Sequence, residues 1–593
     1  MMRTKHFSVE SSDKLLRFPL PFRTVLEALL SAPPEKPFII MWKDEDDVET
    51  VTFGQFTALA SAQANYLKGQ ELRAGDRVIL IMPQGIALMA AFVAALLLGA
   101  IPAILAYPNF KIEPAKYRVG LAGASSNLEP RLIIVDDAFP DELIKHVSLG
   151  VHSRLVRSPA LGTVATVPAS PRNSDSDETA FIQHSAGTTG LQKGVALSHT
   201  AVLRQINHLG KVLRLSFEDR IYSWLPLYHD MGLIACFILP MVCHLSVVVQ
   251  SPTEWVMRPA SMLQLISDYG CSLAWIPNFT LQFLARRVPM KMRSTYDLSS
   301  LRMLINCSEP VRASSMDEFL SAYGASNLRP GALQSCYAMA ETVFAVTQSQ
   351  SNGKTNPSRV WVSANGLRRN KVAKVSQSVN GDAVCFVSSG RCLPGTKLRI
   401  VSDEGADLPG GHVGEIWIQS DSMLNGYYNR PDLTSEALRD GWYRSGDLGF
   451  QLDGELYVTG RKKDLIIVAG ENIYPQDVEE IVSSHSEIQD GRVVAFPIYN
   501  AELGTEQIVV VAEVRQHQGL QRRQMIETQL RTSIVTELGV VPRAIYLKPP
   551  RWIVKSSAGK PARSTTREKL LGEHPELDPG KGELTSVGNA AND

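Results

Sequence analysis

Apolar positions along the first three-quarters of the chain fall into two spacings. "RVILIM" (77–82), "RLIIVDD" (131–137), "LSVVVQS" (245–251) and "LRMLINC" (301–307) are short continuous apolar runs, the pattern of strands buried on both faces of a sheet. Between them lie stretches such as "PASMLQLISDYG" (259–270), whose apolar residues recur at helical spacing. The alternation predicts α/β layers with mostly buried sheets. One run, "GIALMAAFVAALLLGAIPAILAYP" (85–108), is uncharged and long enough to span a bilayer. Gly99 and Pro102 interrupt it, and it is read as a buried core helix followed by a strand.

The texture changes near residue 460. "GELYVTG" and "DLIIVAG" flank "RKKD" and predict two strands joined by a charged turn. "YPQDVEEIVSSH" follows, with Pro475 suited to the first turn of a helix. Next come "RVVAFPI", "QIVVVAEV", a helical stretch from about 521 to 538, and "AIYLKP". Together they predict a small α+β domain of roughly 110 residues. The closing "ELDPGKGELTSVGNAAND" is polar and glycine-rich, the composition of a disordered tail.

Length agrees with this division, since 593 residues exceed what one core can organise. Sixty Lys and Arg balance sixty Asp and Glu, so overall charge gives no pointer to nucleic acid or an anionic membrane. The seven cysteines are scattered without a C-x-x-C pair, which suits reduced thiols and a cytoplasmic protein. The start, "MMRTKHFSVESSDKLLRF", carries no apolar signal-peptide core.

Candidate chemistry begins at "SAGTTGLQKG" (185–194), which concentrates glycines, hydroxyls and one lysine. It departs from G-x-x-x-x-G-K-[ST], because Gln192 stands in the place of the last glycine. Backbone N–H groups freed by glycine, with hydroxyls and a cation, suit polyphosphate. Alone, the stretch reads equally well as a surface loop.

Its companions, in order, are "LPLYHDMGL" (225–233), "NCSEPV" (306–311), "YAMAET" (337–342) and "GEIWIQSDSMLNGYYNRPD" (414–432). "WYRSGDLG" (442–449), "GRKKDLI" (460–466) and "KSSAGKPAR" (555–563) follow. Over roughly residues 20 to 570 this series resembles the acyl-adenylate-forming superfamily, and within it the fatty acyl-AMP ligases. The resemblance implies that family's fold: a large N-terminal adenylation domain over 1–459, a hinge at 460–463, and a small mobile domain over 464–573. The tail is then 574–593. It also implies ATP as substrate, Mg2+ as cofactor, and a carboxylate that attacks the α-phosphorus to give acyl-AMP and pyrophosphate.

Site residues follow by position in the motifs. Lys560 matches the lysine that the small domain brings to carboxylate and α-phosphate, although the loop reads Ala558-Gly559-Lys560-Pro561 where the family usually has Ser-Gly-Lys-Ile. Lys555 is its nearby decoy. Glu341 matches the Mg2+-holding acid, a hard ligand for a hard cation. Tyr337 is expected to stack on adenine, with Ala338, Met339 and Thr342 of the same motif beside the nucleotide. Ser308 and Glu309 line the adenine wall. Asp447 offers two acceptors to the ribose diol, and Arg461 approaches from the other side. Ser185, Thr188, Thr189, Gly190 and Lys193 meet the β- and γ-phosphates. His229 matches a position near the acyl carboxylate and the pyrophosphate exit. Ile276, Pro277, Asn278 and Phe279 are expected to line the acyl tunnel, though the residues alone read equally as core packing. Lys463 falls at the hinge, where a static charged hairpin is the alternative.

Between "AETVFAVTQ" and "SSGRCLPG" sit some forty residues, an insertion over about 346–388. It resembles the element by which fatty acyl-AMP ligases restrain the small domain and disfavour CoA. The implied acceptor is therefore the phosphopantetheine thiol of a separate acyl carrier protein. An acyl-CoA or aryl-CoA synthetase with an unusual insertion, and a silent nucleotide- or acid-binding homologue, are the alternatives. Retention of Lys560, Glu341 and Asp447 argues against silence.

Overall fold

The computed structural model describes residues 15–108, 114–158, 176–184, 193–350, 355–376, 383–500, 503–516, 519–555 and 560–577. Among these, two large sheets carry the N-terminal part. In the first, the strands Leu333–Ala338, Met303–Asn306, Leu273–Ile276, Arg220–Ser223, Ser246–Gln250 and Pro37–Trp42 lie side by side and parallel. In the second, Thr179–His184, Ile101–Ile104, Arg77–Ile81, Leu132–Val135 and Arg154–Arg157 do the same. The four apolar runs singled out in the sequence are thus central or near-central strands, covered on both faces as parallel strands require. One apolar core joins the two sheets.

The uncharged run resolves into the helix Ile86–Leu97 and the strand Ile101–Ile104, with Gly99 at φ +70° making the turn between them. Among the described residues no helix is long and apolar enough to cross a membrane. All seven cysteines are unpaired.

Because the first sheet's strands are parallel, their C-terminal ends share one edge, the place where open α/β sheets bind ligands. The chain leaves Ser223 for His229, Ile276 for Asn278, Asn306 for Ser308, and Ala338 for Glu341 at that edge. The topology therefore collects motifs that lie far apart in sequence.

After the two large sheets, Trp442–Leu452 and Glu455–Arg461 pair within a five-stranded sheet. The chain then passes through a single 3-10 turn, Lys462–Asp464, to the strand Ile466–Val468, which pairs with Glu471–Ile473. The two strands expected around "RKKD" both exist, but they belong to different sheets and make no hairpin. Apolar patterning marks a strand without naming its partner, hence the difference.

The remainder is a three-stranded sheet, Ile488–Asn500, Thr505–Val514 and Ala544–Lys548, with the helices Pro475–Ser483, Leu520–Leu538 and Arg563–Glu573. It has apolar clusters of its own on both faces of the sheet. The ordered chain continues past the expected start of the tail: a turn at Pro575–Leu577 buries Leu577 beside Leu570. One apolar residue in a polar stretch leaves no mark on composition. Within the insertion, Arg359–Ser363 and Ala383–Val387 form an antiparallel pair around the helix Ala364–Asn370.

Candidate active site

At the sheet edge Ser308 adopts φ +67°, a left-handed conformation rare for a residue with a side chain. Its carbonyl accepts a hydrogen bond from the Lys560 ammonium, which arrives from the far end of the chain. Burial draws Lys560 below the usual lysine range, opposed by the charges of Glu309 and Asp230 and reinforced by that of Arg461. Glu309 also accepts from the Phe279 N–H through Oε2 at 3.0 Å, tying its segment to the start of the helix Phe279–Arg287. Lys560, Ser308 and Glu309 are therefore brought together.

Tyr337 and Asp447 meet beside them. The phenol donates to Asp447 Oδ2 at 2.6 Å, and Asp447 Oδ1 lies 3.5 Å from Arg461 Nε. Antiparallel pairing sets Asp447 opposite Arg461, so the ion pair is a product of register. Burial raises the Asp447 carboxyl, and Arg461 opposes the rise. Ala338, Met339 and Thr342 build the turn that follows. The Met339 N–H donates to Phe344 O at 2.8 Å. The Thr342 hydroxyl reaches Met339 O at 3.2 Å and Phe344 O at 3.1 Å. Val343 closes the turn at φ +65°.

That turn presents Glu341, only 8% exposed. Its Oε1 accepts from Tyr427 Oη at 2.9 Å, and Tyr427 Oη lies 3.1 Å from Tyr443 Oη. The Lys193 ammonium sits over the Tyr427 ring, 4.7 Å from its centroid. Tyr427 thus links a carboxylate and a lysine that sequence reasoning assigned separately. Its motif, "NGYYNRPD", marks the family but carries no signal of contact with Glu341. Ser185, Thr188, Thr189 and Gly190 lie outside the described residues.

His229 pairs with Asp230, Nδ1 to Oδ1 at 2.5 Å, and Asp230 feels the charge of Lys560. Ile276 ends its strand fully buried. After Pro277, the Asn278 side chain joins three partners: its amide donates to Ser315 Oγ at 3.0 Å, and its oxygen accepts from Asn306 at 2.8 Å and the Arg312 N–H at 3.1 Å. Phe279 packs edge-on against Trp224 and Trp255, which are stacked 3.8 Å apart. Asn278 therefore fastens the strand end to the segment that runs from Arg312 to Ser315, and Phe279 joins a packed aromatic cluster.

The turn at Lys463 is held from both sides. Lys462 reaches Asp403 at 2.9 Å and Glu415 at 3.2 Å, whereas Asp464 pairs with Arg563 at 2.9 Å. Arg563 is also bound to Glu479. Lys463 lies between the two anchors, lowered by burial and by Arg461. Further along the seam, Arg312 pairs with Glu480 at 2.7 Å and Asp477 at 3.6 Å, and Arg286 pairs with Asp490. The insertion's helix takes part as well: Arg368 donates to Leu538 O at 3.1 Å, Asn472 donates to Arg368 O at 2.7 Å, and Arg369 meets Glu471 at 2.8 Å.

A family model described as "AMP-binding enzyme" matches residues 26–428. The chain is 30% identical to a 4-hydroxyphenylalkanoate adenylyltransferase of Mycobacterium marinum, over 94% of this chain and 93% of that one. It is 29% identical to a medium-chain-fatty-acid–[acyl-carrier-protein] ligase, JamA, of Moorena producens, over 90% and 92%. A solved structure from a study of fatty acyl-adenylate ligases of E. coli and L. pneumophila superposes with TM-score 0.86 at 28% identity, covering 94% of this chain and 98% of that one.

Proposed function

The chain belongs to the AMP-binding enzyme family, and from that premise we propose that it activates a fatty or other carboxylic acid with ATP. The products are acyl-AMP and pyrophosphate, and the acyl group then passes to the phosphopantetheine thiol of a separate carrier protein. The observation that carries this reading is Lys560, held at the Ser308 carbonyl and within reach of the charges of Glu309, Arg461 and Asp230.

Two anions must approach each other for the carboxylate to attack the α-phosphorus, so a preorganised cation lowers the barrier. Lys560 fills that role. Asp447 receives the ribose hydroxyls, Tyr337 packs on the base, and Arg461 balances the charge of Asp447. Lys193, with the glycine-rich stretch before it, meets the outer phosphates.

Glu341 is a buried carboxylate with Oε1 already occupied by Tyr427. Among the described residues no cluster of three acidic, His or Cys groups surrounds it. That donor set fits Mg2+, which takes one or two carboxylates and completes its shell with phosphate and water. Bound there, the metal would neutralise phosphate charge, while Tyr427 keeps the carboxylate oriented.

After adenylation the small part turns about Lys463, withdraws Lys560 and admits the thiol. The contacts of the insertion's helix with Leu538, Asn472 and Glu471 support its role as a restraint on that turn. The test incubates the protein with ATP, Mg2+ and a panel of fatty acids, with and without CoA. Acyl-AMP that persists in CoA, and is discharged by a phosphopantetheinylated carrier protein, is the expected result. Rapid formation of acyl-CoA would overturn the assigned acceptor, and no product with any acid would overturn the reaction. Deleting about 350–385 is expected to permit some CoA turnover.

A further inference from the structure

The loop that carries His229 is more tightly built than its motif requires. The His229 N–H donates to Pro226 O at 3.1 Å, and a Cβ on Gly232 would come within 2.2 Å of the same oxygen. The loop therefore folds back on its own backbone and admits only glycine at that point. Asp230 follows immediately, 8% exposed, and its Oδ1 lies 2.5 Å from His229 Nδ1 and 2.7 Å from the Met231 nitrogen. Met231 N is also 3.4 Å from Nδ1. The shorter contact takes the Met231 proton, which leaves Nδ1 to donate its own to the carboxylate.

Burial alone would raise the Asp230 carboxyl. The pairing with His229, the Met231 N–H and the charge of Lys560 instead hold it below the usual range, so it remains a carboxylate. The buried thiols of Cys307 and Cys336 are the other titratable neighbours: Asp230 helps to raise Cys336, and Cys307 acts on Lys560. Met231 Sδ contacts Ser308 Oγ at 3.9 Å, so the helix beginning at Met231 touches the residue on which Lys560 docks.

We infer that Asp230 is a positioning residue for His229 in the adenylation step: its buried carboxylate accepts from Nδ1–H and fixes the imidazole's orientation, so that the Nε2 edge faces the bound anions and donates to them when it too carries a proton. An imidazole otherwise exchanges tautomers and rotates. A carboxylate on the adjacent residue, itself locked by a backbone N–H, removes both freedoms before substrate arrives. This role rests on the reaction proposed above.

Asp230→Asn tests it, because the amide oxygen can still accept from Met231 N–H while the charge is lost. The turnover for acyl-AMP formation is expected to fall by about a hundredfold, the cost of a misplaced group, with KM for ATP and the melting temperature little changed. His229→Ala is expected to fall comparably, and the double variant to be no slower than His229→Ala alone. In the substrate-free protein labelled with 15N-histidine, a low-field Nδ1 proton signal is expected and is lost in both single variants. Full turnover in Asp230→Asn, additive losses in the double variant, or survival of the signal in Asp230→Asn would each overturn the assignment. Failure of the unmodified enzyme to make acyl-AMP would strike the reaction and this role together. The proton signal, read without substrates, separates that failure from an absent pairing.

Discussion

In the large part, Phe38 stacks on Phe53 at 4.3 Å and meets Phe56 edge-on at 5.1 Å, all three fully buried. In the small part, Val510, Ile526, Leu530 and Ile534 pack with almost no exposure. Between the two parts one apolar patch, Tyr474 and Leu465 against Leu367 and Phe450, sits near the turn, and the other contacts have another character: Arg312 on Glu480 and Asp477, Arg286 on Asp490, Asn472 on Arg368, and Lys560 on a carbonyl. Each part holds itself together by burying apolar surface, which accumulates to large energies. Half-exposed ion pairs contribute only about 0–1 kcal/mol apiece. A seam made of such pairs can open while both cores stay intact, as the proposed rotation about Lys463 requires.

The most severe way to test this contrast is to remove Lys560, the cation proposed to reach across the seam to the reacting groups. A charge about 4 Å from the developing anion is worth about 4 kcal/mol at an effective dielectric near 20, roughly a thousandfold in rate. Lys560→Ala is therefore expected to slow pyrophosphate release by about that factor with no change in melting temperature. An undiminished rate would mean that the small part delivers nothing to the chemistry.

The interior of the large part has its own signature, in acid. His184 is buried, with no hydrogen-bond partner on either ring nitrogen among the described residues, and burial lowers it to about 4 from 6.5. Between those values the unfolded chain takes up a proton that the folded chain refuses. Stability is unaffected above pH 6.5 and falls as pH drops toward 4, by up to about 3 kcal/mol. His199, also lowered to about 4 by burial, adds a second step of the same sign. The urea midpoint of His184→Gln, followed from pH 7 to 4, is expected to show a shallower acid slope than that of the parent. An unchanged slope would remove His184 from the account.

A smaller effect belongs to the wall that the large part builds alone. Tyr337→Phe deletes the hydroxyl that donates to the largely enclosed Asp447 carboxylate at 2.6 Å. A hydrogen bond to a charged group is worth about 1.5–3 kcal/mol, so KM for ATP is expected to rise at least about tenfold. The rise is expected to depend little on salt, because Tyr337 is buried and the Asp447 side chain is only 16% exposed. A salt-dependent rise would move this wall into the seam.

The strands of the large part were legible because both their faces are covered: "RVILIM" and "LRMLINC" need no knowledge of their neighbours to be read as buried. The motif residues were legible through the family pattern. Tyr427 and Asp230 were not, since each acts through a contact with a residue already credited with the role. The seam was least legible of all. Arg312 stands one residue past "NCSEPV", and its partners Asp477 and Glu480 lie on the helix Pro475–Ser483, more than 160 residues away. A solvated charge and a paired one are the same letter.

Arg312 also gives the finest test of the contrast. It lies in the segment between the adenine wall and the helix Ala313–Tyr323, its N–H is held by Asn278, and its guanidinium binds the small part. Arg312→Ala removes a partly exposed pair, so the loss is expected to be no more than about 1 kcal/mol, about fivefold in acyl-AMP formation. Because the seam is charged, salt offers an independent control. At ionic strengths near 1 M the screening length shrinks to about 3 Å, and the unmodified enzyme is expected to slow toward the rate of the variant, which responds less. Transfer of the acyl group from preformed acyl-AMP to the carrier thiol requires the seam to open, so it is expected to be as fast in Arg312→Ala as in the parent, or faster. Equal salt slopes in the two proteins, or a variant slowed equally in both half-reactions, would show that Arg312 supports the fold of the large part and does not latch the small one.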